Sequence, residues 1–330
     1  MNRLNTFLSL LFCLLFLSAC LEETVAVPEL PSSPSGGLSQ VSVSAVNGSE
    51  LSFCVDLFAI DHFGGFIENL DGNCFSYDNT DGSTLSFIGL EARRTPDKGP
   101  YSAQLLFDQS GSISSTDPTN ARIDAGLAFV DIMSGRDEAS VAVFTSGSSN
   151  YPSDLTRLTP FTVDKNILTD QIEAMRDRQG GGTPLYSSIY DLLLVIDGEA
   201  NNGNRAIVVF TDGQDTDGGI NIATLIQDAN DLGIEVYTVG LGTGVEEDVL
   251  AAIALGTGGS VMYAQEVTQL VSLYSSLAEL LRGGYDVYNI CYTLNLPGRV
   301  WQSGDIYRVN ISLMLPTGEV ILYPIYLTVP

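Results

Sequence analysis

Residues 108–112 read Asp-Gln-Ser-Gly-Ser, one carboxylate and two hydroxyls within five positions, directly after the apolar run Leu105-Leu106-Phe107. Oxygen donors of this kind suit a hard divalent cation. So short a pattern occurs by chance in many loops, and it gains weight only from partners elsewhere in the chain. Two stretches supply them. Gly180-Gly181-Gly182-Thr183-Pro184-Leu185 sets Thr183 just ahead of a helix, with Pro184 suited to the first helical position. The apolar run Ile207-Val208-Val209-Phe210 passes into Thr211-Asp212-Gly213, which puts Asp212 where a strand ends. Asp108, Ser110, Ser112, Thr183 and Asp212 then form an all-oxygen set of low charge that leaves coordination positions open. Such a set fits Mg²⁺ or Mn²⁺, with Ca²⁺ a further candidate, better than it fits a dedicated calcium cage.

Ligands from three separate stretches must be carried to one edge of a scaffold, and residues 98–282 alternate the elements that do so. Strand-like runs occupy Ser102–Phe107, Ser140–Thr145, Ala206–Thr211, Ile234–Val239 and Ser260–Tyr263. Between them, apolar residues recur at helical spacing over Thr119–Met133, Leu185–Ile196, Ile222–Leu232, Glu246–Leu255 and Val267–Leu281. Asp117-Pro118 predicts a helix N-cap followed by proline at the first helical position. The order specifies an α/β fold, a doubly wound and mostly parallel sheet, whose sites lie beyond the carboxyl ends of the strands.

The flanks are different. Residues 41–97 and 283–330 show short alternating runs, such as LSFCVDLFAI, YDVYNICYTLNL and EVILYPIYLTV, separated by Asn-Gly, Asp-Gly and Pro-Gly turn signals. Either flank alone has few strands for a core of its own. The economical expectation is one β-sandwich built from both flanks with the α/β domain inserted; two small β modules are the alternative. Cys54 with Cys74 would close a hairpin-sized loop and is the expected disulfide, whereas Cys54 with Cys291 would join the two flanks.

Residues 1–19 read as a signal peptide: Arg3 supplies positive charge, and the apolar run Phe7–Leu17 is too short to span a bilayer as a mature helix. Leu17-Ser18-Ala19-Cys20 resembles the lipobox of bacterial lipoproteins, which implies cleavage before Cys20 and a stable lipid anchor on it. Ordinary secretion would leave Cys20 a free thiol. Leu21 after the cysteine, by resemblance to Gram-negative sorting, favours the outer membrane of the cell envelope. Residues 20–40, with Pro28, Pro31, Pro34 and a Ser-Ser-Pro-Ser-Gly-Gly run, read as a flexible tether.

Composition removes several function classes. The net charge is −26, and residues 100–282 carry 25 acidic against 8 basic side chains, a balance of −17. Nucleic acid is therefore not an expected partner. A single histidine, His62, cannot build a histidine-rich zinc site, and neither a Gly-x-Ser-x-Gly elbow nor a phosphate loop is present. Gly240-Leu-Gly242-Thr-Gly244 imitates a dinucleotide fingerprint but lacks its third glycine position, where Val245 stands, so a turn is expected. Asp215 and Asp217 read as a solvated acidic loop, and Tyr285, Tyr288 and Tyr292 as strand packing.

Asp108-x-Ser110-x-Ser112, then Gly181-Gly182-Thr183-Pro184-Leu185, then an apolar strand ending Thr211-Asp212-Gly213, and later the strand Gly233-Ile-Glu-Val-Tyr-Thr-Val-Gly-Leu-Gly242, together resemble a von Willebrand factor type A domain over about residues 98–282. The resemblance implies a metal-ion-dependent adhesion site in which Asp108, Ser110, Ser112, Thr183 and Asp212 hold the metal directly or through water. It also implies a protein ligand whose Asp or Glu completes the coordination. The resulting expectation is a lipid-anchored envelope protein for adhesion or protein–protein interaction, not an enzyme, and with no small-molecule substrate. A scaffold or assembly subunit of an envelope complex is the alternative, with a metal-dependent hydrolase behind it.

Overall fold

Leu105-Leu106-Phe107 has no polar alternation, and a strand of that kind is stable only where both faces are covered. It forms the centre of β5, which is buried along its whole length. The structure, a computed structural model, describes residues 33–77 and 82–330. The expected signal peptide, lipidated Cys20 and first part of the tether lie outside the described residues.

In chain order the strands and helices are β1 (Ser35–Asn47), β2 (Glu50–Ile60), β3 (Phe75–Tyr77), β4 (Thr84–Arg94), β5 (Tyr101–Asp108), α1 (Ile113–Thr116), α2 (Ala121–Ile132), β6 (Glu138–Phe144) and β7 (Leu155–Arg157). They continue with α3 (Lys165–Glu173), α4 (Leu185–Glu199), β8 (Asn204–Thr211), α5 (Ile222–Leu232), β9 (Ile234–Leu241), α6 (Glu247–Gly256), β10 (Val261–Ala264), α7 (Thr268–Arg282), β11 (Asp286–Asn295), β12 (Ile306–Met314) and β13 (Val320–Thr328). Among the described residues, ten strands form one sheet in the order β4-β11-β2-β1-β10-β9-β8-β5-β6-β7. Its centre, β10 through β6, is parallel. Helices cover both faces: Leu106, Ile207 and Val209 pack in one apolar cluster with residues of α4, α5 and α6, and Leu105, Phe107 and Val208 in another with residues of α2, α3 and α7. The fold is the doubly wound α/β sheet expected from the strand–helix alternation.

The flanking strands continue that sheet. β1 pairs antiparallel with β10 and with β2, and β11 lies between β2 and β4. A three-stranded sheet, β13-β12-β3, contributes Ile311, Leu313, Ile321 and Ile325 to the same apolar cluster as Phe53, Val55, Ile290 and Leu294 of β2 and β11. The two layers expected of a sandwich are thus present, but the larger runs without a break into the α/β sheet. A free β10 edge would expose unpaired backbone groups, and β1 covers them.

Two expectations are corrected here. The Ser35-Gly36-Gly37 end of the expected tether is buried strand. A Cβ on Gly36 would lie 2.5 Å from the Tyr323 hydroxyl and 2.6 Å from the Phe58 carbonyl oxygen, and one on Gly37 2.5 Å from the Phe58 ring. These glycines serve close packing, not flexibility. The disulfide joins Cys54 to Cys291, not Cys54 to Cys74. Cys54 and Cys291 stand directly opposite one another on the paired strands β2 and β11, whereas Cys74 is free and leads into β3 of the other sheet.

Candidate metal centre

Backbone hydrogen bonds tie four loops together at the carboxyl edge of the parallel sheet. Gln109 N–H donates to the Phe144 carbonyl (3.0 Å), Gly111 N–H to Gly181 (2.9 Å) and Gly180 N–H to Gln109 (2.8 Å). Ser146 and Gly182 exchange two such bonds, of 3.1 and 2.8 Å, and Thr216 N–H donates to Thr183 (2.9 Å). Gly181 has φ of +99°, and a Cβ there would stand 2.2 Å from the Ser146 carbonyl oxygen. Only glycine permits this approach, which is why the loop before Thr183 is rich in it. Gly244 acts similarly: a Cβ would sit 2.6 Å from the Asp212 carbonyl oxygen, so the would-be dinucleotide glycines let the β9–α6 loop close on the Asp212 loop.

All five expected ligand residues arrive at this edge. Asp108, Ser110, Asp212 and Thr183 are 0, 1, 2 and 5% exposed, whereas Ser112 is exposed and opens the group to solvent. The hydroxyls of Ser110 and Ser112 are 3.0 Å apart, and the Ser112 hydroxyl donates to Asp212 Oδ1 at 2.8 Å. Ser112 Oγ and Thr183 Oγ1 lie 3.8 and 3.9 Å from the point where a Gly213 Cβ would stand, so two loops converge where a third carries no side chain. Asp108 is held from both sides, Oδ1 accepting from Ser110 N–H (2.8 Å) and Oδ2 from the Thr211 hydroxyl (2.8 Å).

The electrostatics fit a cation. Burial, and then the charge of Asp212, push the Asp108 carboxyl up to about 6, although hydrogen bonds from Ser110 and Thr211 pull the other way. Among the described residues neither Asp108 nor Asp212 has a Lys or Arg in ion-pair contact. Two neighbouring buried carboxylates without a counter-charge are costly. Among those residues no three His, Cys, Asp or Glu side chains gather as a metal cluster, so a cation here would rest on two carboxylates and hydroxyls. That donor set fits a hard divalent ion.

Three supporting residues escape the sequence reading. Thr116 donates its hydroxyl to Asp212 Oδ2; it lies one helical turn beyond Ser112, and that i+4 spacing is the available signal. Thr211 orients Asp108, as above. Arg122 is wholly buried beneath the loop and reaches Asp117 (2.9 Å), Asn120 (3.1 Å) and Gln109 (3.2 Å). No local pattern marks a buried arginine. The Asp117 carboxylate accepts from Ala121 N–H (2.7 Å) and Arg122 N–H (3.1 Å), the first N–H groups of α2. The N-cap of α2 is nevertheless Asn120, in the left-handed region, and its first residue is Ala121, so Asp117 and Pro118 do not take the N-cap and first helical positions expected of them. Tyr285, Tyr288 and Tyr292 are buried and pack, Tyr285 stacking on Phe66. His62 bridges to Glu319 at 3.1 Å, joining two surface loops.

Comparison with known proteins identifies a family. A family model described as von Willebrand factor type A domain matches residues 104–276. Among solved structures, a von Willebrand factor type A protein from Catenulispora acidiphila is 14% identical, covering 90% of this chain and 74% of that one, with a TM-score of 0.46. Proximal thread matrix protein 1 from the mussel byssus, with a zinc-occupied MIDAS motif, is 20% identical over 56% of this chain and 49% of that one, with a TM-score of 0.46. The chain therefore spans about half the length of the mussel protein. An aerotolerance-related membrane protein from Bacteroides fragilis is 20% identical over 55% of this chain and 98% of that one, with a TM-score of 0.44. No curated protein matches the chain.

Proposed function

The chain belongs to the von Willebrand factor type A domain family, and from that premise we propose that it is a lipid-anchored envelope protein that captures a protein partner through a divalent cation. Domains of this family typically mediate protein–protein interaction or adhesion. One observation carries the reading: two buried carboxylates and three hydroxyls from three loops meet at the carboxyl edge of the sheet, and among the described residues neither carboxylate has a Lys or Arg in ion-pair contact.

Asp108, Ser110, Ser112, Thr183 and Asp212 would hold the ion, Mg²⁺ first and Mn²⁺ or Ca²⁺ as alternatives. Bound there, a divalent ion offers an electrophilic position that a carboxylate can fill. The protein's own groups set the terms. Ser110 N–H and the Thr211 hydroxyl fix the Asp108 carboxylate, and Ser112 and Thr116 fix that of Asp212. Neutral hydroxyls supply most of the donors, so the charge of a divalent ion is not fully cancelled. A partner's Asp or Glu then supplies the charge-assisted contact at the centre of an interface. The anchor at Cys20 would hold the protein at the envelope, with the outer membrane the favoured address.

The test is retention of an envelope or host protein by the immobilised chain in Mg²⁺, its release by EDTA, and its absence with Ser110→Ala and Asp212→Ala. Full binding to the same partner after chelation and in both variants would overturn the reading.

A further inference from the structure

The first turn of α4 has a need that its own segment leaves unmet. Pro184 stands at the N-cap and makes no side-chain capping bond, so the first N–H groups of the helix must find acceptors elsewhere. Thr183 is of the type that would serve, since a Ser or Thr hydroxyl at the start of a helix commonly accepts from an N–H two or three residues on. It does not do so here. The N–H three residues on, that of Tyr186, donates instead to Asp215 Oδ1 at 3.0 Å. Among the described residues the Thr183 hydroxyl enters no hydrogen bond within the protein.

Asp215, expected in a solvated acidic loop, is thus a cap supplied to α4 from a remote segment. Its other oxygen accepts from Gly218 N–H (2.6 Å), and Gly218, at φ of +63°, lets that turn close. The next residue grips Thr183 itself. Thr183 N–H donates to the Thr216 hydroxyl (2.8 Å), Thr216 N–H donates to the Thr183 carbonyl (2.9 Å), and the Thr216 hydroxyl donates to Asp217 Oδ1 (3.2 Å). The Tyr186 hydroxyl donates to Glu246 at 2.5 Å, so the start of α4 is held from two sides without the Thr183 side chain. That side chain is left beside Gly213, where the Ser112 hydroxyl also arrives.

Resting on the metal-binding reading above, we propose that Asp215 and Thr216 are positioning residues for the cation: they take over the capping and anchoring at the start of α4, and so reserve the Thr183 hydroxyl for the ion. Neither is a ligand. Asp215 acts through its place and not through its charge, because each of its oxygens is engaged by a backbone N–H. It lies three residues beyond Asp212, so the loop that brings one ligand to the sheet edge also fixes the ligand of its neighbour. Without the cap, Tyr186 N–H would recruit the Thr183 hydroxyl, and the ion would lose a donor.

The test is the Mn²⁺ affinity of the full chain, read from the free-ion electron paramagnetic resonance signal, beside urea unfolding in EDTA to show that each variant is folded. Asp215→Ala should weaken binding by about ten- to a hundredfold, the range for a residue that orients a metal ligand. Asp215→Asn keeps an acceptor for Tyr186 N–H without the charge, and should stay within about threefold of the parent. In a Thr183→Val background Asp215→Ala should cost less than about twofold more, because the side chain through which it acts is gone. Thr216→Val should weaken binding as Asp215→Ala does and Thr216→Ser should not, a comparison that serves even where Asp215→Ala does not fold. Parent-like affinity in Asp215→Ala or Thr216→Val, equal losses in Asp215→Ala and Asp215→Asn, or a full loss in the Thr183→Val background would overturn the proposal and leave the metal site standing. A parent chain that binds no Mn²⁺ would overturn the proposal together with that site.

Discussion

Replacing Asp108 by asparagine should stabilise the metal-free protein and abolish its response to metal, two effects of opposite sign from one substitution. The Asp108 carboxyl is wholly buried beside Asp212 and titrates near 6 instead of 3.8. That shift is about two units, or about 3 kcal/mol at roughly 1.4 kcal/mol per unit. Between those two pH values the folded protein keeps a proton that the unfolded chain has released. Metal-free stability should therefore fall as pH rises through the window and stay level above it. The asparagine of Asp108→Asn would keep the shape: its carbonyl oxygen can still accept from Ser110 N–H, and the Thr211 hydroxyl can turn to accept from the new amide. Losing charge assistance in those two bonds costs about 1 kcal/mol. Asp108→Asn in EDTA at pH 7 should then be more stable by about 2 kcal/mol, an advantage gone by about pH 4. Urea unfolding followed by fluorescence, in EDTA and in Mg²⁺ at both pH values, reads all of this. A variant less stable than the parent in EDTA at pH 7, or one still stabilised by Mg²⁺, would refute the reasoning.

Two further outcomes concern the scaffold. Cys54→Ser with Cys291→Ser opens a covalent loop with a sequence separation of 237, and chain entropy sets the loss of stability at up to about 5 kcal/mol. Guanidinium unfolding measures it, and a loss below about 1 kcal/mol would contradict a constrained denatured state. Arg122→Met leaves Asp117 buried without its partner and should cost about 3 to 5 kcal/mol, part of it recovered when Asp117→Asn is added. Equal losses in the single and double variants by urea unfolding would exclude the stranded charge as the cause.

The site and its scaffold are legible for local reasons. Strand ends, glycine loops and helix starts are written in a few consecutive residues, so Asp108, Thr183 and Asp212 can each be placed at a loop before any fold is known. α5 falls on Ile222–Leu232 as its periodicity predicts. α3 carries no such signal: Lys165–Glu173 buries only Leu168 and Ile172, too few apolar positions to set a period. Asp117 and Pro118 miss the N-cap and first helical positions expected of them, because Asn120 in the left-handed region delays the first turn to Ala121, a conformation that a single asparagine does not announce.

What the sequence determines by itself is therefore the kind of each element and the chemistry gathered at its ends, because backbone preference and apolar spacing act over a few residues. Tertiary structure decides which remote segments meet. Cys54 faces Cys291 because β2 and β11 pair across the inserted domain. Gly36 and Gly37 become packing residues because β10 needs an antiparallel neighbour. Arg122 is drawn under the loop after Asp108 because Asp117 and Gln109 have polar groups there to satisfy. Contacts of this sort depend on loop closure over hundreds of residues and on the shape of a shared core, and neither quantity is encoded in any one stretch of the chain.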